Sequence, residues 1–369
     1  MDSSYKNSSF ESGSADNIYT KRVNSLVGQY GKWLDGSGKD SDIVISCRVR
    51  LARNLNNYIF PGKASDEMLN EILGIVKDNY GSVTDLKDSV YIGVCEINEQ
   101  DRQFLMERRL ISPEMVHHHS PCGLIIGNLE LVSIMVNEED HFRIQGFQSG
   151  LEIEKAWNIV SKIDDEMSEF LDYAFSEQFG YLTSCPTNTG TGLRISVFIH
   201  LPGLALSEKL ESIIKNHIPG EITLRGFYGE GTEALGNIFQ ISNQLTLGRT
   251  ETGVIERLQQ VVKELIQMER EERKRLHNEK KIEIEDKIGR SYGILKYAKI
   301  ISSMEAVNMI SNIRLGVALK NIDNIDIKIL NELLVGVQPV HLQKHYRKHI
   351  SAHNRDVLRA NFLRNKLEL

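Results

Sequence analysis

The chain has 369 residues, 41% of them hydrophobic and 25% charged, with a formal net charge of −6, which allows one large domain or two modest ones with a real core. The mild acidity, with no basic tail or one-sided basic block, argues against general nucleic-acid or membrane-surface binding, and no apolar run reaches the roughly 20 residues of a membrane-spanning helix. Cys47, Cys95, Cys122 and Cys185 show no metal or disulfide spacing and the first residues no signal-sequence pattern, so reduced thiols in cytoplasm are expected.

Residues 1–22 are rich in Ser, Asn, Asp and Gly and poor in aliphatic side chains, which predicts a disordered tail. From Val23 the runs DIVISCRV, YIGVCEI, CGLIIGN, LELVSIMVN, FRIQGF, RISVFIHL and EITLRGFY, bounded by Gly, Asn or Pro, predict short strands. Helices are predicted at 66–78, 150–175 and 251–268 from apolar positions at 3.6-residue spacing, with Ile255, Leu258, Val262 and Leu265 on one face. Several strands follow one another with no helix between them. The expected class for 23–272 is therefore α+β, a mostly antiparallel sheet flanked by helices, not a doubly wound parallel one. Beyond residue 270 the strand signals stop. A mixed-sign charge run, EREERKRLHNEKKIEIEDK, read as a solvated helix, leads into an all-helical C-terminal domain expected over 273–369.

Five arginines in short motifs carry the chemistry: Arg48 and Arg50 in SCRVR, Arg143 in NEEDHFRI, Arg194 in TGLRISV and Arg225 in RGFYGEGTE. Arginine forks give permanently charged, bidentate bonds to phosphate oxygens and stabilise charge spreading during phosphoryl transfer. On a strand, Ser46, Arg48 and Arg50 share one face, with Cys47 and Val49 on the other. Arg53 reads as structural. Carboxylates beside such a cradle suit a cationic acceptor: a guanidinium, protonated below about pH 12, attacks phosphorus only if oriented and deprotonated as the bond forms. Glu139 in NEEDH and Glu230 in YGEGTE are the candidates, weighed against simple acidic turns. His117, His118 and His119 are consecutive and seldom converge on one ion, so no metal site is read there.

NEEDHFRI, CPTNTGTGLR and RGFYGEGTE followed by ISNQLTLG, together with DIVISCRVRLARN, resemble the catalytic domain of the phosphagen (guanidino) kinases. The resemblance implies that Glu139 and Glu230 hold the guanidinium. It implies that the segment Ser46, Cys47, Arg48, Val49 and Arg50, with Arg143, Arg194 and Arg225, meets nucleotide phosphates. The backbone and side chains of Ile195, Ser196, Val197 and Phe198 and of the loop Gly226, Phe227, Tyr228, Gly229 and Glu230 would complete an ATP pocket by the same resemblance. Mg2+ would arrive with ATP, bridging phosphates. Phe198 and Arg109 stand where many relatives have histidines, and an aromatic at 198 can still stack on a base. Cys185 matches a cysteine near the guanidinium and is read either as an oxidisable thiol or as a small structural residue.

Within that family the resemblance narrows to the bacterial protein-arginine kinase branch (McsB type), because the chain shows no counterpart of the small-molecule enzymes' helical N-terminal domain and carries a helical C-terminal region they lack. NRDVLRAN there resembles an RDxxRA motif, which implies allosteric phosphoarginine binding by Arg355, Asp356 and Arg359. On a helix the two arginines lie one turn apart, placed to share an anion, with an internal ion pair as the plainer reading. The resemblance also implies protein substrates bearing exposed arginines, marking of clients for a Clp-type protease in stress response, a zinc-binding activator protein and a homodimer formed through the helical domain. The alternatives are a kinase of free arginine and a non-catalytic phosphoarginine reader.

Overall fold

The computed structural model describes residues 17–226 and 234–368. Eight strands form one sheet: β1 (Val44–Arg53), β2 (Val90–Gly93), β3 (Gly123–Ile126), β4 (Val132–Val136), β5 (Phe142–Ser149), β8 (Leu193–His200), β9 (Ile222–Gly226) and β10 (Ile238–Asn243). A separate small ribbon pairs β6 (Phe175–Ser176) with β7 (Gly180–Tyr181). The sheet order is β2-β3-β4-β5-β1-β8-β10-β9, and every neighbouring pair is antiparallel. The expected antiparallel α+β class holds.

Ahead of the sheet comes α1 (Ile18–Ser25), and between its strands lie α2 (Asp66–Asn79), α3 (Glu99–Glu107), α4 (Pro113–Val116), α5 (Ile153–Ser168), α6 (Pro202–Leu206) and α7 (Leu210–His217). After it run α8 (Glu251–Glu279), α9 (Lys281–Tyr297), α10 (Ser303–Ala318), α11 (Ile327–Gly336), α12 (Pro339–Tyr346) and α13 (Ala352–Leu367). The expected tail of residues 1–22 reaches too far: α1 begins at Ile18, capped by Asn17, and buries Val23.

Helix α5 packs on one sheet face through Ile153, Ala156, Val160, Ile163 and Met167, a stripe at 3.6-residue spacing. It sits close because β5 offers Gly146 beneath it: a Cβ there would meet Val160 Cγ2 at 2.6 Å and Ala156 O at 3.0 Å. Helix α8 covers the same face with the four positions read from the sequence, Ile255, Leu258, Val262 and Leu265, all buried. It runs without interruption through residues 272 and 273, so the expected domain boundary falls inside a helix. Its buried Glu269 accepts from the backbone N–H of Gly203 and Leu204, both at 2.9 Å, and pairs with Arg273. The helices beyond α8 do not stand apart. Ile284, Ile310, Leu330 and Phe362 form a second core with Trp33, Ile45, Phe147, Phe198 and Ile238 of the catalytic part, covering part of the opposite sheet side.

Candidate active site

Strand register builds the site on that opposite side. Arg48 lies across from Phe147 on β5 and Ser196 on β8; Arg50 lies across from Gln145 and Arg194; Arg225 lies across from Gln240, which is opposite Phe198. Arg143 joins the same face opposite Ala52 and Met135. The two-residue alternation sends Cys47, Val49, Ile195 and Val197 the other way, fully buried in the main core. The side-chain part of their expected nucleotide contacts is corrected accordingly: these side chains pack under α5 and α8, and burial pushes the Cys47 thiol up to about 12. Ser46 is also buried. Ser196 stays on the site face, its Oγ accepting from Arg48 Nε at 3.2 Å.

Above this face lies a cavity of about 910 Å3, lined by Arg48, Arg50, Arg143, Arg194 and Arg225 with Glu138, Glu139 and Gln145, and further along by Met106, Arg109, Phe198 and Gln338. Like charges placed directly across a sheet oppose folding, yet Arg50 faces Arg194. Burial, then Arg50, Arg109, Arg143 and Arg194, push the Arg48 guanidinium well below its ordinary range, and burial with Arg143 and Arg194 lowers Arg50 to about 9. A guanidinium keeps its proton at neutral pH, so this crowding is positive charge that a polyanion would balance.

The anionic side comes from the β4–β5 turn. Asn137 adopts a left-handed conformation (φ 58°), and its amide donates to Leu69 O and Pro121 O, fixing the start of the turn. Asp140 is buried and accepts from Asn54 Nδ2 (2.6 Å) and Ser184 N (2.7 Å), which ties the CPTN loop to the turn. His141 is buried too, Nδ1 accepting from Leu55 N and Nε2 donating to Ile59 O, and desolvation lowers it to about 4. These residues hold the two glutamates in place. Glu138 is clamped by Ser112 Oγ (2.6 Å) and Arg143 (2.9 Å). Glu139 meets Arg143 at 3.1 Å with its side chain 42% exposed. Partial burial raises the Glu139 carboxyl, Arg143 opposes that, and Asp140, Glu138 and Glu114 add to it, which favours proton acceptance. Beside it is a smaller pocket of about 100 Å3 lined by Glu139, Cys185, Thr187 and Asn188, which shares Arg50, Arg143 and Arg194 with the large cavity.

Residues 71–272 match the family model for the ATP:guanido phosphotransferase C-terminal catalytic domain, and residues 281–369 that for the protein-arginine kinase McsB C-terminal domain. The protein-arginine kinase of Pelotomaculum thermopropionicum is 41% identical over 341 residues, 91% of this chain and 95% of that one. That of Halothermothrix orenii is 42% identical over 337 residues, 91% and 96%. This chain belongs to the protein-arginine kinase family. Among solved structures, the duplicated taurocyamine kinase from Schistosoma mansoni, bound to transition-state-analogue components, aligns with TM-score 0.57 at 25% identity over 67% of this chain and 35% of that longer one. A lombricine kinase shares the fold, with TM-score 0.56 at 24% identity over 67% and 75%. A protein-arginine kinase is an ATP:guanidino phosphotransferase.

Some expected residues take unexpected places. Phe198 is buried with Arg109 stacked on its face, the guanidinium 3.4 Å from the ring centre, and both line the cavity. Arg109 thereby occupies one face of the ring on which a base could stack. In the C-terminal motif Arg359 is 2% exposed and points inward: it donates to Val337 O at 2.8 Å and Ile301 O at 2.9 Å and pairs with Asp356. Arg355 donates to Ile350 O at 3.0 Å. The expected anion shared by Arg355 and Arg359 therefore finds one of its forks already engaged by protein, and the internal ion pair is the geometry present. Gly226 ends β9, whereas Phe227, Tyr228, Gly229 and Glu230 lie outside the described residues. Sequence reading missed Gln145 and Gln240, which strand alternation predicts once the sheet face is known. It also missed Met106 and Gln338, for which the sequence carries no signal.

Proposed function

We propose that the chain transfers the γ-phosphoryl of ATP to arginine side chains of proteins, giving N-phosphoarginine and ADP. The observation that carries this reading is the junction of the two pockets: Glu139 and three arginines, Arg50, Arg143 and Arg194, line both. A substrate guanidinium in the smaller pocket is within reach of a triphosphate in the larger one. Glu139 and Glu230 grip separate guanidinium nitrogens, and Glu139 takes the proton as the N–P bond forms and the O–P bond to ADP breaks. Arg48, Arg50, Arg143, Arg194 and Arg225 balance charge on the phosphate oxygens throughout. Among the described residues no cluster of three or more His, Cys, Asp or Glu side chains is placed to hold a metal. Mg2+ would arrive with ATP, held by phosphate oxygens and water, and would neutralise part of the phosphate charge.

Incubation with ATP, Mg2+ and an arginine-rich protein, followed by phosphosite mapping under non-acidic conditions, tests the reading, because the P–N bond is acid-labile. Phosphoarginine on the protein with little ADP release from free arginine is expected. The reverse pattern would instead fit a small-molecule guanidino kinase. The C-terminal family match supports three further proposals: phosphoarginine binding around Arg355, Asp356 and Arg359, a homodimer, and work in the cytoplasm marking proteins for a Clp-type protease under stress, with a zinc-binding activator. No helix among the described residues is long and apolar enough to cross a membrane. Cys185, within the acceptor pocket, is proposed as an oxidation-sensitive position.

A further inference from the structure

The two ends of the large cavity differ in chemistry. Arg50, Arg143 and Arg194 are shared with the acceptor pocket, so the transferable phosphoryl group belongs at that end. The nucleoside of the same molecule then reaches the rest of the cavity, whose lining includes Met106, Arg109, Phe198 and Gln338. Gln338 does not come from the sheet. It precedes the first residue of α12, inside the helical region that small-molecule guanidino kinases are not expected to share.

Its position is fixed from both sides. Glu107 at the end of α3 accepts from the N–H of Val340 (3.0 Å) and His341 (2.9 Å) and from His341 Nδ1 (2.6 Å), which locks the start of α12 beside Met106. Arg359 holds the carbonyl of Val337, the preceding residue, at 2.8 Å. The Gln338 amide nitrogen donates one hydrogen to Leu334 O at 3.0 Å, which orients the carboxamide. A second N–H and the carbonyl oxygen complete its hydrogen-bonding capacity. A carboxamide presents a donor and an acceptor side by side, the pattern that matches the exocyclic amine and adjacent ring nitrogen of adenine.

We propose that Gln338 is a base-recognising residue: its carboxamide pairs with the amine edge of adenine while the ring lies on the Arg109 guanidinium, itself backed by Phe198. The proposal rests on the reading of this cavity as the ATP site. It means that the helical region completes the nucleotide pocket as well as packing against the sheet.

The test compares ATP with purine-riboside triphosphate, which lacks the exocyclic amine, by calorimetric binding to the full chain. The unaltered protein is expected to prefer ATP by about five- to tenfold, as one net hydrogen bond provides. In Gln338→Leu and the similarly shaped Gln338→Met, ATP loses both hydrogen bonds and the analogue only the one to its ring nitrogen, so ATP binding should weaken by about five- to tenfold more than the analogue's and the preference should disappear. KM for ATP should rise in step, with kcat at saturating ATP and KM for the arginine substrate unmoved. Retained preference in both variants would overturn the proposal. So would equal weakening for both nucleotides, which marks a merely structural role. If the unaltered protein bound ATP but released no ADP with arginine-bearing protein, the phosphotransfer reading would fail instead, leaving the base assignment standing.

Discussion

Glu139 differs from its neighbours in having no rigid clamp. Glu138 is held by Ser112 and Arg143 and Asp140 by Asn54 and Ser184, whereas Glu139 touches Arg143 at 3.1 Å from a half-open position. Glu138 and Asp140 therefore read as scaffold and Glu139 as the group left for substrate. Glu139→Gln is expected to lower kcat by about 10²–10⁴, the usual contribution of a positioned base, with ATP affinity kept; a coupled ADP assay beside nucleotide titration checks both. Near-normal turnover would remove Glu139 from the reaction. Because its carboxyl is raised from its ordinary value by partial burial, kcat/KM should fall on acidification at a higher pH than an ordinary glutamate would produce.

At the scale of elements, the arrangement depends on how β1 is held. Arg53 at its end is buried, pairs with Asp164 of α5 at 2.7 Å, donates to Thr191 O at 3.0 Å and stacks 3.5 Å from the centre of the Tyr181 ring. It joins strand, helix and ribbon. Arg53→Met leaves Asp164 buried without its cationic partner and is expected to cost about 3–5 kcal/mol, measurable by urea unfolding. Much of this level was legible in the sequence. Alternation in SCRVR assigned Arg48 and Arg50 to one face, and the spacing of Ile255, Leu258, Val262 and Leu265 assigned the buried stripe of α8. Alternation also separated Cys47 and Val49 from that face, yet motif resemblance grouped them with the nucleotide contacts. Side-chain direction, not motif membership, decides contact. Gln338 was invisible for another reason: it reaches the cavity only because α3 and α12 meet, a long-range contact that no local pattern encodes.

At the scale of the whole molecule, the second core makes the helical region part of the fold. Ending the chain after Lys280 would uncover Trp33, Phe147, Phe198 and Ile238, so the shortened protein is expected to aggregate or lose its cooperative melt, as seen by calorimetry and light scattering. Acid should also act globally. His141 titrates near 4 when folded against 6.5 as its ordinary value, and His200 is lowered by burial and Arg273. The unfolded chain thus binds protons first. Stability is retained above about pH 6.5 and falls from there towards pH 4, by roughly 3 kcal/mol from His141 alone. Urea midpoints at pH 7 and pH 5 should show this drop, and His141→Asn should reduce it.

Arg50 facing Arg194 across two hydrogen-bonded strands has a consequence for the enzyme's endurance as well as its chemistry. The repulsion is a standing load on the centre of the sheet, and a triphosphate bound at this site, as proposed, would relieve it and act as a keystone for the fold. Mass action then gives about 2.7 kcal/mol of protection when ATP stands at a hundred times its dissociation constant, and pyrophosphate should supply part of it in a thermal melt. An energy-starved cell would hold this kinase in its least durable form, linking its lifetime to the same molecule it spends.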